Sequence, residues 1–153
     1  MKRLAILALL IAAACSTSAP TTPPPVAGHG AVTIEVLPNP IVATPVSGNM
    51  YQFPFEVLVR ETGGRAVTVQ RVTATVQFGA LTLARETYDT AQIRAMGHDP
   101  ELAPHSQVRF RFNQKREVPD ERLFSGVSAE LRVDATDDAG TPINATTVVT
   151  VRR

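Results

Sequence analysis

Residues 127–151 read VSAELRVDATDDAGTPINATTVVTV. Val127, Ala129, Leu131, Val133 and Ala135 alternate with Ser128, Glu130, Arg132 and Asp134. After Asp137-Asp138-Ala139-Gly140 the alternation resumes with Ala145, Thr147, Val149 and Val151. Successive strand side chains point to opposite faces, so a period of two marks strands with one face buried. Two such runs joined by a short Asp/Gly turn predict a β-hairpin.

The same period extends upstream. Val32, Ile34 and Val36 form one short stripe, and Tyr51, Phe53, Phe55, Val57 and Val59 form the longest. Gly63-Gly64 then supplies a turn that tolerates positive φ. Val67 and Val69 share one face, but the parity changes at Gln70-Arg71 to Val72, Ala74, Val76 and Phe78, which predicts a β-bulge or a change of sheet. Leu81, Leu83 and Tyr88 belong to a weaker strand near an edge. Val108, Phe110 and Phe112 alternate with Gln107, Arg109, Arg111 and Asn113. Only Thr90–Met96 departs from the pattern; Thr90 is expected to cap one helical turn presenting Ile93 and Met96 and closed by Gly97. The reading is an all-β domain, a two-sheet antiparallel sandwich of about seven strands, with an eight-stranded jelly roll or small barrel as runner-up.

The strand order and the closing Asp-rich hairpin are similar to the immunoglobulin-like and fibronectin-type-III-like domains of bacterial envelope proteins. The resemblance covers most of residues 31–153 and implies an Ig-like β-sandwich. The cysteine pair and core tryptophan of antibody domains are absent, since the chain has one cysteine and no tryptophan. Phe53, Phe55, Phe110 and Phe112 are expected to fill that volume.

The single cysteine, Cys15, follows a basic start (Met1-Lys2-Arg3) and an apolar run from Leu4 to Ala14. That run is too short to span a bilayer, which takes about 20 apolar residues, and its order is that of a secretory signal. The arrangement resembles the type II signal peptide of bacterial lipoproteins, although Ala12 stands where that family usually has leucine. The resemblance implies removal of residues 1–14 and acylation of Cys15, with diacylglycerol on the thiol and a further acyl chain, such as palmitate, on the new amino group. An unpaired thiol in an oxidising compartment is chemically consumed by this step. Ser16 follows the cysteine where aspartate would, in that family, favour inner-membrane retention, so an outer-membrane address is expected. The alternative is an ordinary signal cleaved at Ala12-Ala13-Ala14, with Cys15 incidental. Residues 16–30, STSAPTTPPPVAGHG, are small, polar and proline-dense, and are expected to be a disordered linker. The expected organisation is thus signal 1–14, lipidated Cys15 and linker 15–30, and one domain 31–153.

Charge excludes some partners. With 15 basic and 14 acidic residues the chain has formal net charge +1, falling to about −1 without Lys2 and Arg3, so no basic excess recruits nucleic acid. Catalytic signatures are missing: there is no Gly-x-Ser-x-Gly elbow, no His-Glu-x-x-His and no phosphate-cradling glycine loop. The expectation is a non-enzyme without cofactor beyond the covalent lipid.

Three clusters are weighed as sites. His98, Asp99, Glu101 and His105 share a loop and offer imidazole and carboxylate ligands, against a plain solvated loop. Asp134, Asp137, Asp138 and Gly140 offer oxygens of the kind calcium prefers, against the ordinary demands of a tight hairpin. Arg109, Arg111 and Arg132 are expected to line one outward face with Glu130 interleaved, either as cross-strand ion pairs or as a recognition face. Asn144-Ala145-Thr146 matches a glycosylation acceptor, which a bacterial lipoprotein rarely uses. The functional expectation is a lipid-anchored envelope module contacting a protein or surface polymer through the regions 39–50, 89–105 and 113–126. Its alternatives are a small-ligand or metal-binding lipoprotein and a hydrolase with an unrecognised site.

Overall fold

The computed structural model describes residues 28–153. The signal segment 1–14, Cys15 and the linker up to residue 27 lie outside the described residues. Ten strands form two sheets: β1 Val32–Leu37, β2 Ile41–Val42, β3 Thr44–Ser47, β4 Met50–Glu61, β5 Val67–Phe78, β6 Leu81–Asp89, β7 Glu101–Leu102, β8 Gln107–Glu117, β9 Val127–Asp137 and β10 Pro142–Arg152. The seven with six residues or more are the strands expected from the alternation, and the architecture is the two-sheet antiparallel Ig-like β-sandwich.

In the four-stranded sheet, β4 pairs with β1 and β3 along one side and with β8 along the other. The six-stranded sheet runs β2-β10-β9-β5-β6, with β7 beside β5. The chain changes sheets early: β1 pairs with β4, whereas β2 lies parallel to β10. The hairpin at 127–151 is present, with Leu131 opposite Thr147. Along β9 every odd residue is buried from Val127 to Asp137, so the hydrophobic pattern sets the register and keeps it from slipping.

Gln70 is the extra residue of a bulge. Val69 pairs with Ala135 and Arg71 with Asp134, which resets the parity and turns both Val69 and Val72 inward. The helical turn α1, Thr90–Ala95, sits over this bulge. Its N-cap is Asp89 rather than the expected Thr90: the Asp89 carboxylate accepts from the Gln92 N–H at 2.8 Å, and the Asp89 N–H donates in return to the Gln92 Oε1. Thr90 instead donates its hydroxyl to the Val69 and Gln70 carbonyls at the bulge. Ile93 is fully buried, but Met96, as the C-cap, turns outward.

The core lies between the sheets. Phe55, Phe110 and Phe112 are buried, Phe53 is partly so, and Phe55 stacks on Phe112 at 5.1 Å between centroids. Between β8 and β9 a 3₁₀ turn, Glu121–Ser125, caps one end; its Phe124 ring meets Tyr51 edge-on at 5.1 Å. The Tyr51 hydroxyl and Arg153 both donate to Glu121, fastening the turn to β4 and the C-terminus.

Candidate functional site

Two of the core-facing stripes end in an acid. Glu61 continues the parity of Val57 and Val59, and Asp137 that of Val133 and Ala135, so both carboxylates enter the interior at 3% and 6% exposure. Burying a bare carboxylate is costly, and here backbone N–H groups neutralise the cost. Glu61 accepts from Gly63 at 2.6 Å, Gly64 at 3.0 Å, His105 at 2.8 Å and Ala31 at 3.3 Å. Asp137 accepts from Gly30 at 3.2 Å, Ala139 at 3.0 Å and Thr141 at 2.8 Å. Burial alone would raise the Glu61 carboxyl, but its four N–H donors outweigh it and hold the group at about 2 against an ordinary 4.5. The Thr141 N–H leads the donors that hold Asp137 below its ordinary value.

The last residues of the expected linker are part of this arrangement. Gly30 is buried, and a Cβ there would stand 2.6 Å from the Asp137 Cβ, so only glycine passes. The packed domain therefore includes Gly30.

The predicted clusters are largely dispersed. His98 accepts the Arg111 backbone N–H at 3.2 Å and sets its ring edge against Phe110. Asp99 caps the Glu101 N–H, Glu101 pairs with Arg94, and His105 sits beside Glu61 with φ +58°. Among the described residues no three His, Cys, Asp or Glu side chains group as metal ligands. Asp138 pairs with Arg65 at 2.6 Å and Asp134 with Arg132 at 2.8 Å. Both oxygens of Asp137 already face protein N–H groups. The arginine face is corrected: Arg109 and Arg111 lie on β8 and grip Glu56, while Arg132 lies on β9 in the other sheet. Adjacency in sequence does not carry over to space here, because β8 and β9 belong to different sheets.

The arrangement that sequence reasoning missed is a cleft of about 590 Å³ between the sheets, on the side where β6 and β8 are edge strands. One wall carries Phe53 and Phe55 of β4. The other carries Ala74 and Val76 of β5, Ala84 of β6, and Ala129 and Leu131 of β9. The three alanines face phenylalanines at positions where larger residues would have met them, which leaves the space. Leu123 and Phe124 of the 3₁₀ turn line one end.

The mouth is polar. Glu86 and Tyr88 of β6 and Gln114 and Arg116 of β8 have inward parity, following Ala84 on one strand and Phe110 and Phe112 on the other. They bridge the gap: Arg116 pairs with Glu86, and the Gln114 amide donates to the Tyr88 hydroxyl. Tyr88 also lies 4.8 Å from the Phe112 ring, and burial pushes its phenol above the ordinary value. The cleft opens to solvent at this mouth, and its apolar lining gives water few partners.

No protein-family model matches the chain, and no curated protein matches it. Among solved structures, a Northeast Structural Genomics Consortium target designated SoR45 superposes with TM-score 0.55 at 11% identity. That match covers 79% of this chain and 87% of the other. The protein assigned as ApaA from Bordetella pertussis also gives TM-score 0.55, at 17% identity over 81% of this chain and 96% of the other. At such identities the likeness bears on the fold alone, and it accompanies the two-sheet Ig-like β-sandwich described above.

Glu61 makes stability depend on pH. Its folded-state value lies below the unfolded one, so its contribution is complete above about pH 4.5 and drains away as the pH falls towards 2. Denaturant titrations between pH 2 and 6 should show this loss. Glu61→Gln should cost about 2 kcal/mol or more at pH 7 and flatten the slope below pH 4.5; an unchanged slope would rule out Glu61 as its source.

Proposed function

We propose that the chain is a non-catalytic binding module of the bacterial cell envelope, anchored through acyl chains on Cys15, that takes an apolar small molecule into the β6/β8 cleft. The observation that carries this reading is the cleft: large, lined by alanine, valine and phenylalanine, and polar only at its mouth. Ligand sites are commonly apolar concavities of about 300–1,000 Å³ with a few placed polar groups. The non-catalytic part rests on what the acids do. The two buried carboxylates among the described residues, Glu61 and Asp137, accept several backbone N–H groups each and hold the fold.

The anchor rests on the order of residues 1–15, and the membrane is its first partner. Metabolic labelling with an azido-fatty acid should mark the native protein and leave Cys15→Ser unmarked; equal labelling of both would remove the anchor.

A second reading, contact with an envelope protein or surface polymer, draws on a different feature. At the β5–β6 hairpin Leu81 is 63% exposed, with Phe78 and Leu83 beside it on the edge of the six-stranded sheet. Such an edge can accept a partner strand. A photocrosslinker at position 81 should then capture a discrete envelope partner, and an uncrosslinked protein in intact cells would remove this reading.

The cleft reading is tested with 1-aminoanthracene, a fluorescent apolar probe, on the full chain carrying Cys15→Ser. Saturable one-to-one binding is expected, abolished by Ala129→Phe with the strand signal in circular dichroism retained. Failure of the probe to bind, or binding indifferent to Ala129→Phe, would contradict it.

A further inference from the structure

Resting on the reading of the cleft as a ligand site, we propose that its ligand is a long-chain fatty acid, with the aliphatic chain between the sheets and the carboxylate on Arg116 in place of Glu86. Three features of the cleft point there.

The first is where its polarity lies. The groups able to hydrogen-bond a guest through their side chains, Arg85, Glu86, Tyr88, Gln114, Arg116 and Glu117, come from the two edge strands at the opening. The walls behind them are alanine, valine, leucine, isoleucine and phenylalanine. A sugar, nucleotide or peptide would bury polar groups there without partners, at a penalty its contacts could not recover. An unbranched hydrocarbon buries none.

The second is size. At roughly 30 Å³ per heavy atom, the share of a water molecule in the liquid, the cleft holds about 20 heavy atoms, the size of palmitate. Along β6 the lining runs from Leu83 to Tyr88, about 17 Å at 3.3 Å per residue, a span comparable to an extended acyl chain.

The third is the head-group position. Arg116 is half exposed and already holds a carboxylate, that of Glu86, across the mouth. A guanidinium presents a planar fork matched to carboxylate oxygens. A ligand carboxylate is chemically equivalent to the Glu86 group, which is itself 36% exposed and free to turn into solvent when displaced. The Arg116–Glu86 pair thus closes the mouth of the free protein and is exchanged on binding. No covalent step is involved.

The proposal is tested by displacing 1-aminoanthracene from the full chain carrying Cys15→Ser with palmitate, laurate and hexadecanol. Palmitate should displace the probe stoichiometrically. Laurate should be at least tenfold weaker, since each buried methylene tightens binding roughly fourfold. Hexadecanol, with the same chain and no carboxylate, should also be at least tenfold weaker, and Arg116→Gln should bring palmitate down to its level. Should Arg116→Gln fail to fold, Glu86→Gln, which releases the guanidinium, should tighten palmitate and leave hexadecanol unchanged. If palmitate and hexadecanol compete equally and neither variant separates them, carboxylate recognition is overturned while the apolar cleft stands. If the probe binds and no aliphatic compound displaces it, the fatty-acid assignment is overturned. A probe that does not bind overturns the cleft reading itself, and the proposal with it.

Discussion

The Glu61 carboxylate ties together three segments distant in sequence: the lead into β1 at Ala31, the β4–β5 turn at Gly63-Gly64, and the loop that delivers His105 to β8. A charged acceptor surrounded by N–H donors in a dry setting is worth more than a neutral bond, and it tolerates no substitute that brings donors of its own. Asp137 repeats the device on the facing sheet, holding Gly30 and the turn that follows β9. Together they close the end of the sandwich at which the chain enters from its N-terminal segment. A pull on that segment is therefore met by buried charge-assisted bonds and by the β1–β4 pairing behind them.

That closure has a counterpart elsewhere in the domain. Along the β8 edge the loop after α1 covers part of the exposed backbone, with His98 accepting the Arg111 N–H. Beyond it, from Phe112 towards Glu117, the facing edges of β6 and β8 are bridged by side chains alone. Small residues on β5, β6 and β9 meet phenylalanines on β4 in this stretch, and the interior opens there. On the proposed reading, the paired strands would form the walls of the site and the Arg116–Glu86 pair its latch.

Alternation in the sequence was enough for the seven long strands, the terminal hairpin and the parity break at Gln70-Arg71, although that break left a bulge and a change of sheet both open until the pairing of β5 with β9 was seen. The same signal could not place the arginines on their sheets. Parity assigns Arg109, Arg111 and Arg132 to outward positions without saying which sheet carries them, and β8 and β9 belong to different sheets. Glu61 and Asp137 were legible in principle, since each extends a buried stripe by one inward position and precedes a glycine-containing turn rich in free N–H groups. Glu86, Gln114 and Arg116 carry the same inward parity, but their meaning depends on β6 facing β8 across the sandwich. The cleft itself has no local signature: three alanines on three strands become a void only when packed against Phe53 and Phe55. The helical turn shows a smaller effect of the same kind, where Asp89 and Gln92 close a capping box and free Thr90 to serve the bulge.

The most direct measurement of the central claim is methyl NMR with ¹³C-labelled alanine, recorded on the full chain carrying Cys15→Ser as an apolar guest is added. Ala74, Ala84 and Ala129 line the cleft, whereas Ala43 and Ala135 are buried elsewhere in the same domain. The account predicts saturable shifts and guest-to-methyl contacts at the first three, with Ala43 and Ala135 unmoved. Unchanged signals at all five, or equal changes throughout the domain, would contradict a binding site between the sheets.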